Sequence, residues 1–330
     1  MIDYTQKSPL NILVTGVGAI IGYGIIKSIR QSKIPVRIIG TDIYADAVGQ
    51  HWCDIFIQAK YAVDPDYISF IRDLINRFKI DLVFLGTEQE IYRISENRAE
   101  TGKDIDKFVL NHTDILDLSK DKWRTINFLE QNNLREYAIP SVINGDYDSI
   151  SKQFGKEFLL KPRSSYASKG IVRVADHLEF SFFKERMGQN FMAQRIVGDI
   201  DHEYTMAVFG LGNGTYSASI ALKRKLSQDG STAKAEIVLG DSFLEEATER
   251  LCKIFRPIGP TNLQFRLEHG KHYLLEINPR ISSSTSIRTA FGYNEAEMCI
   301  RYFLFGEIVK PEVRAGRATR YINEVVTIIS

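Results

Sequence analysis

The stretch NLQFRLEHGKHYLLEINPR, from Asn262 to Arg280, decides how this chain is read. Apolar and polar residues alternate on either side of His269-Gly270-Lys271, which predicts a β-hairpin. A three-residue connection there sets Gln264 directly opposite Glu276. Glu276 and Asn278 stand two residues apart on one strand, so their side chains leave the same face. Three oxygen-bearing side chains then converge on one spot. Oxygen donors of this kind suit Mg²⁺, which keeps several waters and completes its octahedron from a few protein oxygens and substrate phosphates. Arg280 follows at once, placed to steady a phosphate or the charge that develops during its transfer. The plain alternative pairs Glu276 with a surface lysine and lets Asn278 open an Asn-Pro turn. Spacing alone leaves both readings open.

Upstream, the first third alternates β-like runs with helical patterns: Asn11 to Thr15, a helix near Ile20 to Gln31, Val36 to Thr41, a helix near Pro65 to Phe78, then Asp81 to Gly86. Helices between apolar strands predict a parallel sheet of βαβ units. The turn TGVGAIIGYG, Thr15 to Gly24, has the spacing G-x-G-x-x-x-G rather than G-x-G-x-x-G, with Asp42 at the end of the second strand. A dinucleotide-binding reading is therefore open but weakly supported. Beyond Leu116 the pattern predicts a helix from Trp123 to Asn132, strands at Phe158 to Lys161 and Ile171 to Val174, and further strands at Phe191 to Gln194, Glu203 to Phe209 and Tyr216 to Leu222. A helix at Phe243 to Phe255, the hairpin and helices to about Phe305 follow, and the segment after Pro311 reads as a tail or an edge strand.

With 330 residues, 44% of them hydrophobic and 11% aromatic, the chain can bury a large core. Its 42 basic and 41 acidic residues leave a net charge of +1, so no field of one sign recruits nucleic acid or a membrane, and a small-molecule substrate is expected. Cys53, Cys252 and Cys299 are isolated, which fits a reduced cytoplasmic setting. The amino terminus lacks the long apolar stretch of a signal peptide or membrane span.

The runs TNLQF and LLEINPRISSS resemble the carboxy-terminal metal site of ATP-grasp enzymes, on the carbamoyl-phosphate-synthetase large-subunit and pyrrolysine-biosynthesis ligase branch. The likeness covers roughly Ser119 to Gly306. It implies an α/β (α+β grasp) protein: a Rossmann-like lobe over 1–115, a small lid subdomain over 116–192, and a large carboxy-terminal subdomain with the metal site over 193–330. On this resemblance Gln264, Glu276 and Asn278 hold two Mg²⁺ ions, with Mn²⁺ an admissible substitute, and Arg280 contacts the transferring phosphate. Lys122 and Lys161 match the two nucleotide lysines, Lys161 reaching the α- and β-phosphates. The loop PRSSYASKG occupies the phosphate flap, with Ser164, Ser165, Ser168 and Gly170 as candidate contacts; it has one glycine where relatives have several. Gln194, Arg195, Ile196 and Val197 match the adenine linker, with Gln194 where an acidic residue is usual, and Glu203 matches the ribose ligand. Read from the residues, Glu203 is equally an exposed strand carboxylate. In ALKRKLS, Lys223 or Lys225 is a candidate phosphate contact, with a solvated strand end as the alternative.

The amino-terminal lobe of such enzymes faces the active site without holding the nucleotide, so Gly18 and Glu88 are expected to line an acceptor pocket. Glu88 or Glu90 binds an amine there, or simply starts the helix after Thr87. Where the carbamoyl-phosphate-synthetase branch has a second arginine, this chain has Ser283, which argues against bicarbonate chemistry, although Arg288 on the next helix is placed to reach back. The implied activity is ligation of a small-molecule carboxylate to an amine at the expense of ATP, in a chain that admits a homodimer. An NAD(P)-dependent oxidoreductase and a non-catalytic nucleotide-binding protein are the rivals.

Overall fold

The structure is a computed structural model that describes residues 8–164, 170–228 and 230–326. The strands β1 (Leu10–Val14), β2 (Val36–Asp42), β3 (Ile55–Gln58) and β4 (Leu82–Phe84) pair in parallel in the order β3-β2-β1-β4. Alternate residues of β1 enter different cores: Ile12 and Val14 face the layer of helix Ile20–Arg30, and Leu13 faces the layer of helix Tyr67–Phe78. Both faces of the strand are thus buried, as its near-continuous apolar sequence requires. The turn after β1 is tight. A Cβ on Gly22 would lie 2.1 Å from the Gly16 carbonyl oxygen, and Gly16 itself has φ +57°, so both positions need glycine. The edge strand β3 is short and only half buried, and it left no clear alternation in the sequence.

The strands β5 (Ser141–Val142), β6 (Phe158–Pro162), β7 (Val172–Val174) and β8 (Phe191–Gln194) form a small antiparallel sheet in the order β5-β8-β6-β7. It runs to Gln194, past the expected boundary at 192. Helix Lys122–Gln131, expected in the lid, places Ile126 and Leu129 in the core of the large sheet instead. Its apolar residues find more area to bury there than the two-residue strand β5 offers.

That large sheet is built of β9 (Glu203–Leu211), β10 (Tyr216–Leu226), β11 (Thr232–Val238), β12 (Ile258–Glu268), β13 (Lys271–Asn278) and β14 (Arg317–Thr319), in the order β13-β12-β9-β10-β11-β14. The last segment is therefore an edge strand, paired with β11. One face of the sheet packs on helix Ser242–Phe255, and part of the other shares a core with β1 and helix Ile20–Arg30. Helices Thr285–Ala290 and Glu295–Phe305 bridge the lobes. Thr289 Oγ1 bonds Ser28 Oγ at 2.8 Å, and Asn294 Nδ2 donates to the Ser28 carbonyl at 2.8 Å. Among the described residues no helix is long and apolar enough to cross a membrane.

Candidate active site

The site is built on the face of the large sheet opposite Leu263 and Phe265, which point into the core. His269 and Gly270, with φ +49° and +76°, make a two-residue turn of the kind hairpins favour, not the expected three-residue one. Glu268 thus faces Lys271 and Phe265 faces Leu274, a register that continued unchanged would set Gln264 opposite Leu275. A bulge at Leu275 adds the missing residue, so Gln264 pairs with Glu276 and Asn262 with Asn278. The expected pairing is present, by a different route. The bulge also switches the pleat of β13: Leu274 and Ile277 both enter the core, and Glu276 and Asn278 share the opposite face.

Each of these donors has a distinct environment. Gln264 Oε1 accepts from Arg224 Nη2 at 2.7 Å, and Asn278 Oδ1 accepts from Arg280 Nη2 at 2.9 Å. An amide oxygen has a second lone pair, so both can still accept a ligand. Glu276 is half buried, and its carboxylate makes no direct ion pair or hydrogen bond among the described residues, although the charges of Lys161 and Arg224 both act on it. No group of three or more His, Cys, Asp or Glu side chains that could hold a metal occurs among the described residues. One carboxylate with two amide oxygens fits a hard divalent ion that draws its other ligands from phosphates and water.

Next to this trio lies a charged row that the sequence reading did not find. In register across three strands, Glu203 on β9 stands between Arg224 on β10 and Arg266 on β12. Glu203 is 3% exposed; its Oε1 accepts from Arg224 Nη2 at 2.8 Å and its Oε2 from Arg266 Nη2 at 2.7 Å. The exposed-carboxylate alternative is therefore excluded, and both oxygens are already engaged. Arg224 in turn holds Gln264. Lys223 is corrected by the period of the strand: it pairs with Tyr204, on the opposite face from Arg224, and so points away from the row. Lys225, two residues along the same strand, shares the face of Lys223, and it is exposed and ion-paired to Asp201 at 3.7 Å. Alternation within ALKRKLS could have separated Arg224 from Lys223, but only the strand order shows which face matters.

The lid contributes Lys161 at the end of β6. It is 5% exposed, and its Nζ donates to Gln194 Oε1 at 2.5 Å. Burial, then the neighbouring Lys122 charge, pull its pKa from 10.5 down to about 7, with Glu276 opposing and Arg266 adding to the fall. Gln194 is held on its other side, Nε2 donating to Ser141 Oγ at 2.8 Å. Along the linker, the Arg195 N–H donates to the Pro140 carbonyl at 3.0 Å, the Arg195 side chain pairs with Glu268 at 2.7 Å, and Val197 is buried beside half-buried Ile196. Lys122 starts its helix and donates its N–H to the Arg163 carbonyl at 3.0 Å. In the flap, the Ser164 N–H donates to Asn190 Oδ1 at 3.3 Å, and Gly170 closes the loop at φ +78°. Ser165 and Ser168 lie outside the described residues.

The amino-terminal lobe meets the site through Arg280. Its guanidinium grips Glu88, with Nε 3.0 Å from Oε1, which ties the start of helix Glu88–Glu96 to the end of β13. Glu90 is buried under Thr15, Thr87 and Tyr67, whose hydroxyls donate to it at 2.7, 2.8 and 2.9 Å; burial raises its pKa despite those bonds. Arg288 does not reach a substrate surface. It is fully buried, with Nη1 bonded to Ser282 Oγ at 2.9 Å and Glu295 at 3.1 Å, and Nη2 on Asn262 beneath the sheet face. Its neighbour Ser283 gives its carbonyl to Arg320 at 2.7 Å. The fixed first turn of helix Thr285–Ala290 aims Arg288 inward, a direction that chain position alone does not reveal.

A parallel Rossmann-like sheet, a small lid sheet bearing Lys161 and a large antiparallel sheet bearing Gln264, Glu276 and Asn278 together make the ATP-grasp fold. Residues 200–325 match the family model described as the ATP-grasp in the biosynthetic pathway with Ter operon. It is similar to the carbamoyl phosphate synthase large chain of Methanocorpusculum labreanum, 23% identical over 312 residues that cover 85% of this chain and 29% of that one, so it spans under a third of that relative. Among solved structures, biotin carboxylase from Campylobacter jejuni in a β,γ-ATP complex aligns with TM-score 0.74 and 14% identity, over 94% of this chain and 74% of that one. The N5-carboxyaminoimidazole synthetase of Staphylococcus aureus complexed with ADP aligns with TM-score 0.71 and 15% identity, over 94% and 81%.

Proposed function

We propose that this chain is an Mg²⁺- and ATP-dependent ligase that activates a small-molecule carboxylate as an acyl phosphate and joins it to an amine. The observation that carries this reading is Glu276, a carboxylate without a direct partner among the described residues, flanked by two amide oxygens and acted on by Lys161. Bound Mg²⁺, one or two ions, would be held by Gln264, Glu276 and Asn278 and would neutralise phosphate charge; Mn²⁺ fits the same donors. Lys161 and Lys122 neutralise the nucleotide phosphates from the lid, with Ser164 and Gly170 closing over them. The linker from Gln194 to Val197 holds the base, while Glu203 keeps Arg224 and Arg266 in place beside it. Arg280 leaves Glu88 to stabilise the transferring phosphoryl group. The substrate carboxylate attacks the γ-phosphorus and releases ADP; the amine then attacks the acyl carbon, loses a proton and expels phosphate.

The reading is tested by incubating the protein with MgATP and a panel of amino acids and sugar acids paired with amines. ADP and phosphate are expected in equal amounts, and only when both partners are present. Binding of a nicotinamide cofactor with none of MgATP would replace this function with the oxidoreductase reading.

The Lys161 environment adds a second expectation. With its folded pKa at about 7 and its unfolded value at 10.5, the unfolded chain binds more protons between those values. Stability therefore rises with pH across that window and is lowest, as far as this group is concerned, below it. A bound triphosphate restores the charged lysine, so nucleotide binding takes up about half a proton at pH 7 and nearly one at about pH 8. Calorimetry in buffers of different ionisation enthalpy measures the uptake directly. Lys161→Met is expected to abolish it, and equal heats in all buffers for the unaltered protein would remove Lys161 from the phosphate site.

A further inference from the structure

A cleft of about 620 Å³ opens at the carboxyl ends of β1, β2 and β4, apart from the nucleotide site but adjoining it. Gln89 and Glu90 line it, while Glu88, one residue earlier on the same helix, grips Arg280. The glycine turn forms its inner wall. There the Gly18 N–H, the kind of donor that meets a pyrophosphate in dinucleotide-binding turns, donates to Asp42 Oδ2 at 2.7 Å. Asp42 Oδ1 accepts the Tyr44 N–H at 3.0 Å, and the residue is 6% exposed. A resident carboxylate thus occupies the place where an anionic ligand would bind, and its charge opposes a second anion there.

The rest of the lining has the same polarity. Asp46 stands exposed at the mouth, and buried Glu90 lies on the floor. Lys60, the one cation among the lining residues, is ion-paired with Asp66. The rim is apolar and unusually open for side chains of this size: Tyr44 is 63%, Tyr61 56% and Val63 80% exposed. Carboxylates within and aromatic rings at the mouth suit a cation that carries an apolar body, the rings contributing both contact area and cation-π attraction.

We infer that this cleft binds the amine partner of the ligation as an unphosphorylated cation with an aromatic or aliphatic body, and that it rejects phosphorylated ligands, dinucleotides among them. The identification of this ligand as the ligation partner rests on the proposed function; its chemical class rests on the cleft alone.

The test is equilibrium binding to the full chain without nucleotide, by calorimetry or saturation-transfer NMR. The probes are tyramine, phenethylamine and cyclohexylmethylamine, with 4-ethylphenol as the probe without an amine and O-phosphotyramine and NADH as the phosphorylated ones. Tyramine is expected to bind at least about tenfold more tightly than 4-ethylphenol, O-phosphotyramine or NADH. Asp46→Asn and Tyr61→Ala, both at the exposed mouth, are each expected to weaken amine binding about three- to tenfold and to leave MgATP binding unchanged. Equal binding of amine and phenol, phosphorylated probes bound as tightly as tyramine, or no amine bound at all would each overturn the inference. Amine binding without any ATP-dependent turnover would retain the cleft and discard the ligase. Turnover saturated by phosphorylated acceptors would do the reverse.

Discussion

Glu276→Ala is expected to lower substrate-dependent ADP release by at least about a thousandfold while the protein stays folded. Glu276 is half buried, makes no direct ion pair or hydrogen bond among the described residues, and its strand is held by the core contacts of Leu274 and Ile277. Removing the carboxylate therefore takes away little native structure. It does take away the sole charged donor of the trio, leaving Gln264 and Asn278 as neutral amides against a divalent ion. Initial rates over a range of Mg²⁺ concentrations, with circular dichroism and thermal melts as the check on folding, measure the effect. Activity within tenfold of the unaltered protein would remove the metal from this face. Glu276→Asp serves as the finer probe, since it keeps the charge and withdraws it by one methylene; partial recovery at high Mg²⁺ is expected.

Glu203→Ala is expected to act in the opposite way, on stability first. The carboxylate is nine-tenths buried or more and bonded on each oxygen to a different arginine, and Arg224 is itself buried. Burial already pulls the Arg224 pKa down, with Glu203 as the largest opposing influence. Without Glu203, two guanidinium groups face each other across β9 with no anion between them. The expected destabilisation is about 3–5 kcal/mol, the usual cost of breaking a buried pair from one side. Urea unfolding without nucleotide reads it, and a loss below about 1 kcal/mol would show that solvent already screens the row. A bound polyphosphate would partly offset the loss by supplying negative charge to Arg224 and Arg266. Stabilisation by MgATP is thus expected to be larger in the variant than in the unaltered protein if the variant still binds. A purely ribose-binding Glu203 would show the reverse: unchanged urea stability and weaker nucleotide binding.

Much of the site was legible because it rests on short-range rules. Two residues on one strand share a face, so Glu276 and Asn278 could be paired from their spacing. The residues His269 and Gly270 mark the turn, and Lys161 ends a strand whose apolar run was plain. The position of Glu88 after Thr87 also placed it at a strand's carboxyl end, where it is found, although its partner Arg280 lies 192 residues away. Lys223 and Arg288 were misplaced because each needed one fact that is not local. For Lys223 it was which face of β10 lines up with Glu203 on β9 and Arg266 on β12; for Arg288 it was the direction in which a six-residue helix points its side chain. The strands β3 and β11 were passed over, one for its brevity and half-burial, the other because part of its pairing is with β14, whose residues lie 81 to 85 positions further along the chain.

From residue order alone came the alternation of strands and helices, the glycine-bearing turn, the hairpin and the chemistry of its oxygen donors, all of which depend on neighbours along the chain. The folded molecule settled the bulge at Leu275 that turns Glu276 toward Gln264, the row Arg224-Glu203-Arg266, and the Asp42 carboxylate seated on Gly18. These arise where segments distant in sequence come within a few ångströms. Their energies depend on burial and on the charges opposite, quantities that do not exist until the sheets have packed.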